Sequence, residues 1–229
     1  MHTLLKIHNN IKNTIIGVLT GKVNIIKRGF FMKNASRILI ALIFAVSMTS
    51  SAFAGNLENR SHDIGLYGGV LFPGTISIDS DVASIDVDSE MGFTLKGYFD
   101  QFVLPMFAVG VYGQYSSTTL TYGDLEVSAD MYEFGLTFKP KFMITPTSAI
   151  KPGLEIGYRK STRESFAPDD ILTDADGLAL NMSAEVQFML DNGYIFGITL
   201  GFITQPTGGN EEADVTWAPI FYALAGIVF

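Results

Sequence analysis

Between His62 and Phe229, apolar and polar residues alternate with a period of two in eight separate stretches. In HDIGLYGGVLF (62–72), Ile64, Leu66, Val70 and Phe72 share one parity, and Asp63, Gly65, Tyr67 and Gly69 the other. The pattern recurs in SEMGFTLKGYFD (89–100), MFAVGVYGQYS (106–116), MYEFGLTFKP (131–140), AIKPGLEIGYRK (149–160), LALNMSAEVQFML (178–190) and YIFGITLGF (194–202). It is least regular in WAPIFYALAGIVF (217–229), where Trp217, Phe221, Ile227 and Phe229 fall on the apolar face, opposite Tyr222, Leu224 and Gly226. Successive side chains of a strand point to opposite faces, so the pattern predicts eight two-faced strands.

The connections alternate in length. Those after the second, fourth and sixth stretches are short, around Gln101–Pro105, Lys141–Thr147 and Asp191-Asn192-Gly193. Asn-Gly is a strong hairpin signal. Those after the first, third, fifth and seventh are long and acidic. Eight strands with alternating short and long connections describe an antiparallel up-and-down β-barrel.

Three features decide which face is outside. The polar face is rich in glycine (Gly65, Gly69, Gly92, Gly110, Gly135, Gly153, Gly157, Gly197, Gly201, Gly226), as the narrow interior of an eight-stranded barrel requires. The apolar face is unbroken by charge along nearly every strand, as lipid requires. Aromatic residues gather near strand ends, at Phe72, Phe99, Phe107, Tyr132, Phe138, Tyr158, Tyr194 and Trp217, in the manner of interfacial girdles. The expectation is a barrel turned apolar side out, spanning a membrane; closure leaves no unpaired backbone in lipid.

Ahead of the barrel, Lys33 and Arg37 precede an apolar run from Ile38 to Met48, and Ala52-Phe53-Ala54 follows as a small-x-small cleavage pattern. This order predicts a secretory signal peptide over 32–54, cut after Ala54. The run is too short to span a bilayer as a helix. Residues 1–31 hold no Asp or Glu and read as an upstream extension ahead of a true start at Met32. Residues 55–229 then form one barrel domain. Its 8 Lys and Arg against 23 Asp and Glu give a formal charge of −15, which argues against a nucleic-acid partner. There is no cysteine, so stability must come from packing.

Residues 62–229 resemble the small eight-stranded outer-membrane proteins of Gram-negative bacteria, of the OmpA-barrel, OmpX/Ail and OmpW type. The most specific mark is the ending FYALAGIVF: a terminal Phe229 with Ile227 and Phe221 at even spacing is similar to the signal read by the barrel-assembly machinery. The resemblance implies a location in the cell outer membrane, among phospholipid and lipopolysaccharide.

The lumen-facing parity carries Lys96, Lys139, Lys151 and Arg159 against Glu133, Glu155 and Glu185. Such charges should pair, because isolated ones are costly to bury. A structural plug is the favoured reading, an ion path the other. In the long loops, Asp79, Asp86, Asp88, Asp124, Glu126 and their neighbours suggest divalent cations bridging to lipopolysaccharide, without a defined site. DILTDADG (170–177) matches a calcium loop poorly: Leu172 stands at the first ligand position and Ser183 at the last. TTLTYGDLEVS and TISIDSDVASIDVD also alternate, which predicts that the first four strands project beyond the membrane as a β-ribbon with an edge open to partner strands. His62 is the one histidine after the signal peptide; it lies before the first strand and its neighbour Asp63 points elsewhere, so an ordinary solvated histidine is expected rather than a catalytic one. No catalytic, cofactor-binding or metal-ligating residue is assigned. The expected function is non-enzymatic, structural or surface-binding through the acidic loops. A narrow channel for small or hydrophobic solutes is the alternative, and a lipid-modifying enzyme a distant third.

Overall fold

The computed structural model describes residues 57–80, 84–123, 125–163, 174–209 and 213–229. Segments 1–31 and 32–54, with Ala54, lie outside the described residues, as do Leu172 and most of the long loop before Asp174. A 3-10 turn, Leu57–Asn59, precedes strands β1 (His62–Leu71), β2 (Gly74–Ser80), β3 (Ser84–Ser89), β4 (Gly92–Leu104), β5 (Phe107–Tyr122), β6 (Leu125–Pro140), β7 (Phe142–Thr145), β8 (Ser148–Arg163), β9 (Asp174–Met189), β10 (Ile195–Gly209) and β11 (Ala213–Val228).

Eight of these close a ring: β1 pairs β4, then β5, β6, β8, β9, β10 and β11 follow, and β11 returns to β1, every pairing antiparallel. The closing seam runs from Gly65↔Val228 to Leu71↔Tyr222, and Phe229 extends it by exchanging backbone hydrogen bonds with Ile64, at 2.8 and 3.0 Å. The eight expected strands are the eight wall strands. The expected Lys141–Thr147 connection is tighter: Phe142–Thr145 forms β7 against β8, leaving Pro146 and Thr147 as the turn.

β2 and β3 are the upper parts of β1 and β4, not a separate sheet. β2 pairs β11 from Trp217↔Ile76 to Ala213↔Ser80, in the register of the closing seam below it. The break between β1 and β2 is local. Pro73 has no N–H to give the ladder. The Ser89 hydroxyl takes over at Gly74, accepting from its N–H (2.9 Å) and donating to its carbonyl (3.2 Å). β2 and β3 do pair as a hairpin, but the expected open edge is absent along β2, since β11 covers it. The projection is also not confined to the first four strands, for β8 to β11 reach up as well.

The wall changes polarity with height. In its lower part, outward residues are apolar, such as Leu66, Leu95, Val111, Phe134, Leu136, Leu154, Ile156, Ile198 and Leu200, while inward residues are mostly polar or charged. Above the level of Tyr132 and Tyr158 the outward side carries Thr75, Ser77, Asp79, Asp86, Asp88, Ser117, Thr119, Glu126 and Ser128. There the inward side carries Leu71, Ile76, Ile78, Val87, Leu120, Met131, Ile203, Val215, Trp217 and Ile220, none more than 6% exposed. The lower storey is built like a membrane barrel and the upper one like a water-soluble barrel.

Trp217 corrects an expectation. It does not join the outer girdle; it points inward and is 1% exposed. The register between β10 and β11 shifts between Ile203↔Ile220 and Gln205↔Trp217, so Ala218 and Pro219 form a bulge that reverses the parity of everything before them. The remaining girdle residues face out, Phe72, Phe99, Tyr132, Tyr158 and Tyr194 each being more than a third exposed.

A packed lumen as the candidate functional site

Five carboxylates (Asp63, Asp100, Glu133, Glu155, Glu185) and five cations (Lys96, Lys139, Lys141, Lys151, Arg159) are buried among the described residues. All seven of the expected network residues are among them. They form two layers.

In the upper layer, Lys96 Nζ donates to both Glu155 oxygens at 2.6 Å and lies 3.4 Å from Tyr222 Oη. Arg159 donates to Glu133 Oε2 through Nε (3.0 Å) and Nη2 (2.7 Å). Tyr112 Oη donates to Glu133 Oε1, and Asn181 Nδ2 bridges Glu133 and Glu155. Lys151, Glu155 and Arg159 do share one face of β8, but Glu155 bonds to neither of its strand neighbours. Its partner reaches across from β4.

In the lower layer, Lys151 Nζ donates to Asp63 (2.9 Å) and Asp100 (3.1 Å), and Lys139 lies 3.1 Å from Asp100 and 3.8 Å from Glu185. Glu185 Oε1 accepts from Tyr67 (2.9 Å), Tyr98 (2.6 Å) and Gln187 (2.7 Å). Lys139 Nζ also sits 3.4 Å from the centroid of the Tyr98 ring, a cation–π contact. The charges are thus paired and hydrogen-bonded, which is the condition for burying them.

Asp63 and Asp100 were missed as network members. Each shares the lumen parity of its strand, with Gly65 and Tyr67, and with Lys96 and Tyr98; that was the available signal. Asp63 further accepts a 2.8 Å ion pair from Arg60 at the lower mouth. There, the Lys141 ammonium donates to the carbonyl of Leu57, and Ser61 O accepts from Phe102 N (2.9 Å) and Gln101 Nε2 (2.7 Å). Leu57 itself is fully buried, so the turn before β1 closes this end.

The lumen glycines give the rings room. A Cβ on Gly197 would lie 1.8 Å from Tyr67 Oη. Above the charged layers Arg159 meets the Trp217 ring at 5.5 Å, and the apolar residues of the upper storey fill the rest. His62 stacks on Phe99 at 6.2 Å, and its Nδ1 lies 2.9 Å from the exposed Ser61 Oγ, while Asp63 turns the other way, into the lumen. Asp176, in the weak calcium match, accepts a hydrogen bond from Tyr158.

No family profile and no curated protein matches the chain. Solved structures do. The outer membrane protein OprG from Pseudomonas aeruginosa aligns over 77% of this chain and 98% of its own, with 15% identity and a TM-score of 0.55. Neisserial surface protein A aligns over 74% and 96%, with 9% identity and a TM-score of 0.51. The chain has the fold of the small outer-membrane β-barrels. Ail of Yersinia pestis also aligns, over 74% of this chain and all of its own, at 18% identity and a TM-score of 0.38. In this chain the described lumen residues are buried from the Leu57 turn to the Trp217 cluster.

Proposed function

We propose that the protein is a non-enzymatic barrel of the outer membrane, which holds a rigid acidic surface above the bilayer and binds envelope or external partners there. The observation that carries this reading is the filled lumen: two ion-paired layers below, an apolar plug above, and side chains buried throughout. A barrel packed in this way offers its outside as the working surface. The displayed hairpins are acidic and hydroxyl-rich; Ser77 donates to Asp86 at 2.7 Å across β2 and β3, with Thr75–Asp88 and Ser84–Asp79 beside it. The fold likeness to outer-membrane proteins and the apolar lower wall support the location.

Planar-bilayer recording tests the reading against the narrow-channel alternative. The refolded protein is expected to give no resolved single-channel steps. Reproducible steps that change in size with Glu155→Gln would replace the structural reading by a channel. Fractionation tests the location: the protein should partition with the outer membrane and migrate differently on gels when unheated.

A further inference from the structure

The turn between β9 and β10 carries the one Asn-Gly pair of the chain, Asn192-Gly193. Three hydrogen bonds define it. Gly193 N donates to Leu190 O (2.9 Å), Leu190 N donates to Tyr194 O (2.8 Å), and Tyr194 N donates to Asn192 Oδ1 (3.2 Å). Gly193 has a φ of 83°, a left-handed value that favours glycine. The result is a three-residue hairpin loop closed by a left-handed glycine. Asp191 and Asn192 are exposed to water.

Asparagine before glycine is chemically labile, because glycine has no side chain to keep its amide nitrogen away from the carboxamide. Gly193 N attacks Asn192 Cγ: the N–Cγ bond forms, the Cγ–Nδ2 bond breaks, and Nδ2 takes up the amide proton and leaves as ammonia. Water then opens the cyclic imide at either carbonyl. One product is aspartate; the other is isoaspartate, whose main chain runs through the side-chain carbons. The folded turn withholds both reactants. The Gly193 amide hydrogen is held by Leu190 O, and the Asn192 carboxamide is held by Tyr194 N. Bringing the nitrogen onto Cγ requires a rotation of the Asn192 backbone that breaks the turn, so in the folded barrel the reaction waits on local opening.

We propose that Asn192-Gly193 is a modification site that records whether the chain has folded. It stays intact in the closed barrel and converts to isoaspartate in chains that remain unfolded. Isoaspartate adds one backbone carbon to the loop. Loop length sets hairpin register, here Met189↔Ile195 and Phe188↔Phe196. The lengthened loop no longer delivers β9 and β10 to each other in the pairing that the ring needs. A delay in folding is thereby turned into a permanent defect. Aspartate keeps the loop length and causes none.

Ageing the refolded barrel beside the same chain in guanidinium chloride, in mildly alkaline buffer, tests this. Peptide mass spectrometry reads the gain in mass when the amide becomes an acid, and electron-transfer fragmentation separates isoaspartate from aspartate. The folded protein should convert at least about tenfold more slowly, since only its locally opened fraction reacts. After dilution of the aged, unfolded chain into lipid vesicles, isoaspartate should be depleted from the heat-modifiable folded band and enriched in the unfolded one. Freshly made Asn192→Asp should refold as the wild type does. Asn192→Ala, which has no carboxamide, should keep its refolded yield through ageing. Equal conversion in folded and unfolded chains overturns the proposal, as does isoaspartate chain that refolds as well as unmodified chain. Failure of fresh Asn192→Asp to refold also overturns it, by assigning the defect to the added charge.

Discussion

Lys96 and Glu155 belong to strands β4 and β8, with β5 and β6 between them in the wall, yet the ammonium lies 2.6 Å from both carboxylate oxygens inside the lumen. The pair is a cross-brace: it ties together strands that share no backbone ladder. Replacing Glu155 by Gln leaves a fully buried ammonium without its counter-charge, a change that costs about 3–5 kcal/mol. Urea unfolding in lipid vesicles should show that loss. Lys96→Met combined with Glu155→Leu removes both charges and should recover much of it. An unshifted midpoint for Glu155→Gln would show that the brace carries no stability.

The one tryptophan reports on the upper storey. Trp217 faces an apolar interior, so its emission should be blue-shifted and resistant to aqueous acrylamide. Brominated lipids should quench it weakly. A Trp217→Phe, Phe221→Trp protein moves the indole to the outward face, where Phe221 is 60% exposed, and should be quenched strongly. Equal quenching of the two would put Trp217 in the lipid girdle after all.

Glycines of opposite parity should respond differently to a methyl group. Gly197→Ala pushes a Cβ into Tyr67 and so disturbs its hydrogen bond to Glu185; it should lower stability and the refolded yield. Gly97→Ala has room and should be close to neutral. Unfolding midpoints of the two variants, measured side by side, check the contrast.

The change of wall polarity predicts where charge is tolerated. Leu200→Arg places a cation in the apolar band and should cost about 2–4 kcal/mol. Thr119→Arg, outward in the upper storey, should change stability little. Similar penalties at both positions would mean that the apolar band continues upward past Tyr132.

Much of this was legible in the sequence. Period two found all eight wall strands, and the glycine parity identified the lumen. Two of the features that escaped share a cause: parity reading assumes an unbroken strand. A bulge at Ala218-Pro219 inverted Trp217, and the break at Pro73 hid that β2 prolongs β1. Pairing partners escaped for another reason. Glu155 has Lys151 and Arg159 at even spacing on its own strand, and only closure of the barrel brings Lys96 closer.

The terminal residue supplies a further test. Phe229 closes the seam with Ile64 through two backbone hydrogen bonds. If Phe229, Ile227 and Phe221 also form the assembly signal, deleting Phe229 should reduce the protein found in outer membranes while leaving refolding into vesicles mostly intact. Equal losses in cells and in vesicles would assign the residue to the seam only.

The two-storey wall bears on how such a protein changes over generations. Above the apolar band, the outward face is the back of a strand whose front is locked into an apolar core. Thr75, Ser77, Asp79, Asp86 and Asp88 hold outward positions, while Ile76, Ile78 and Val87 between them carry the packing. The outward chemistry can therefore drift, one alternate residue at a time, without the scaffold giving way.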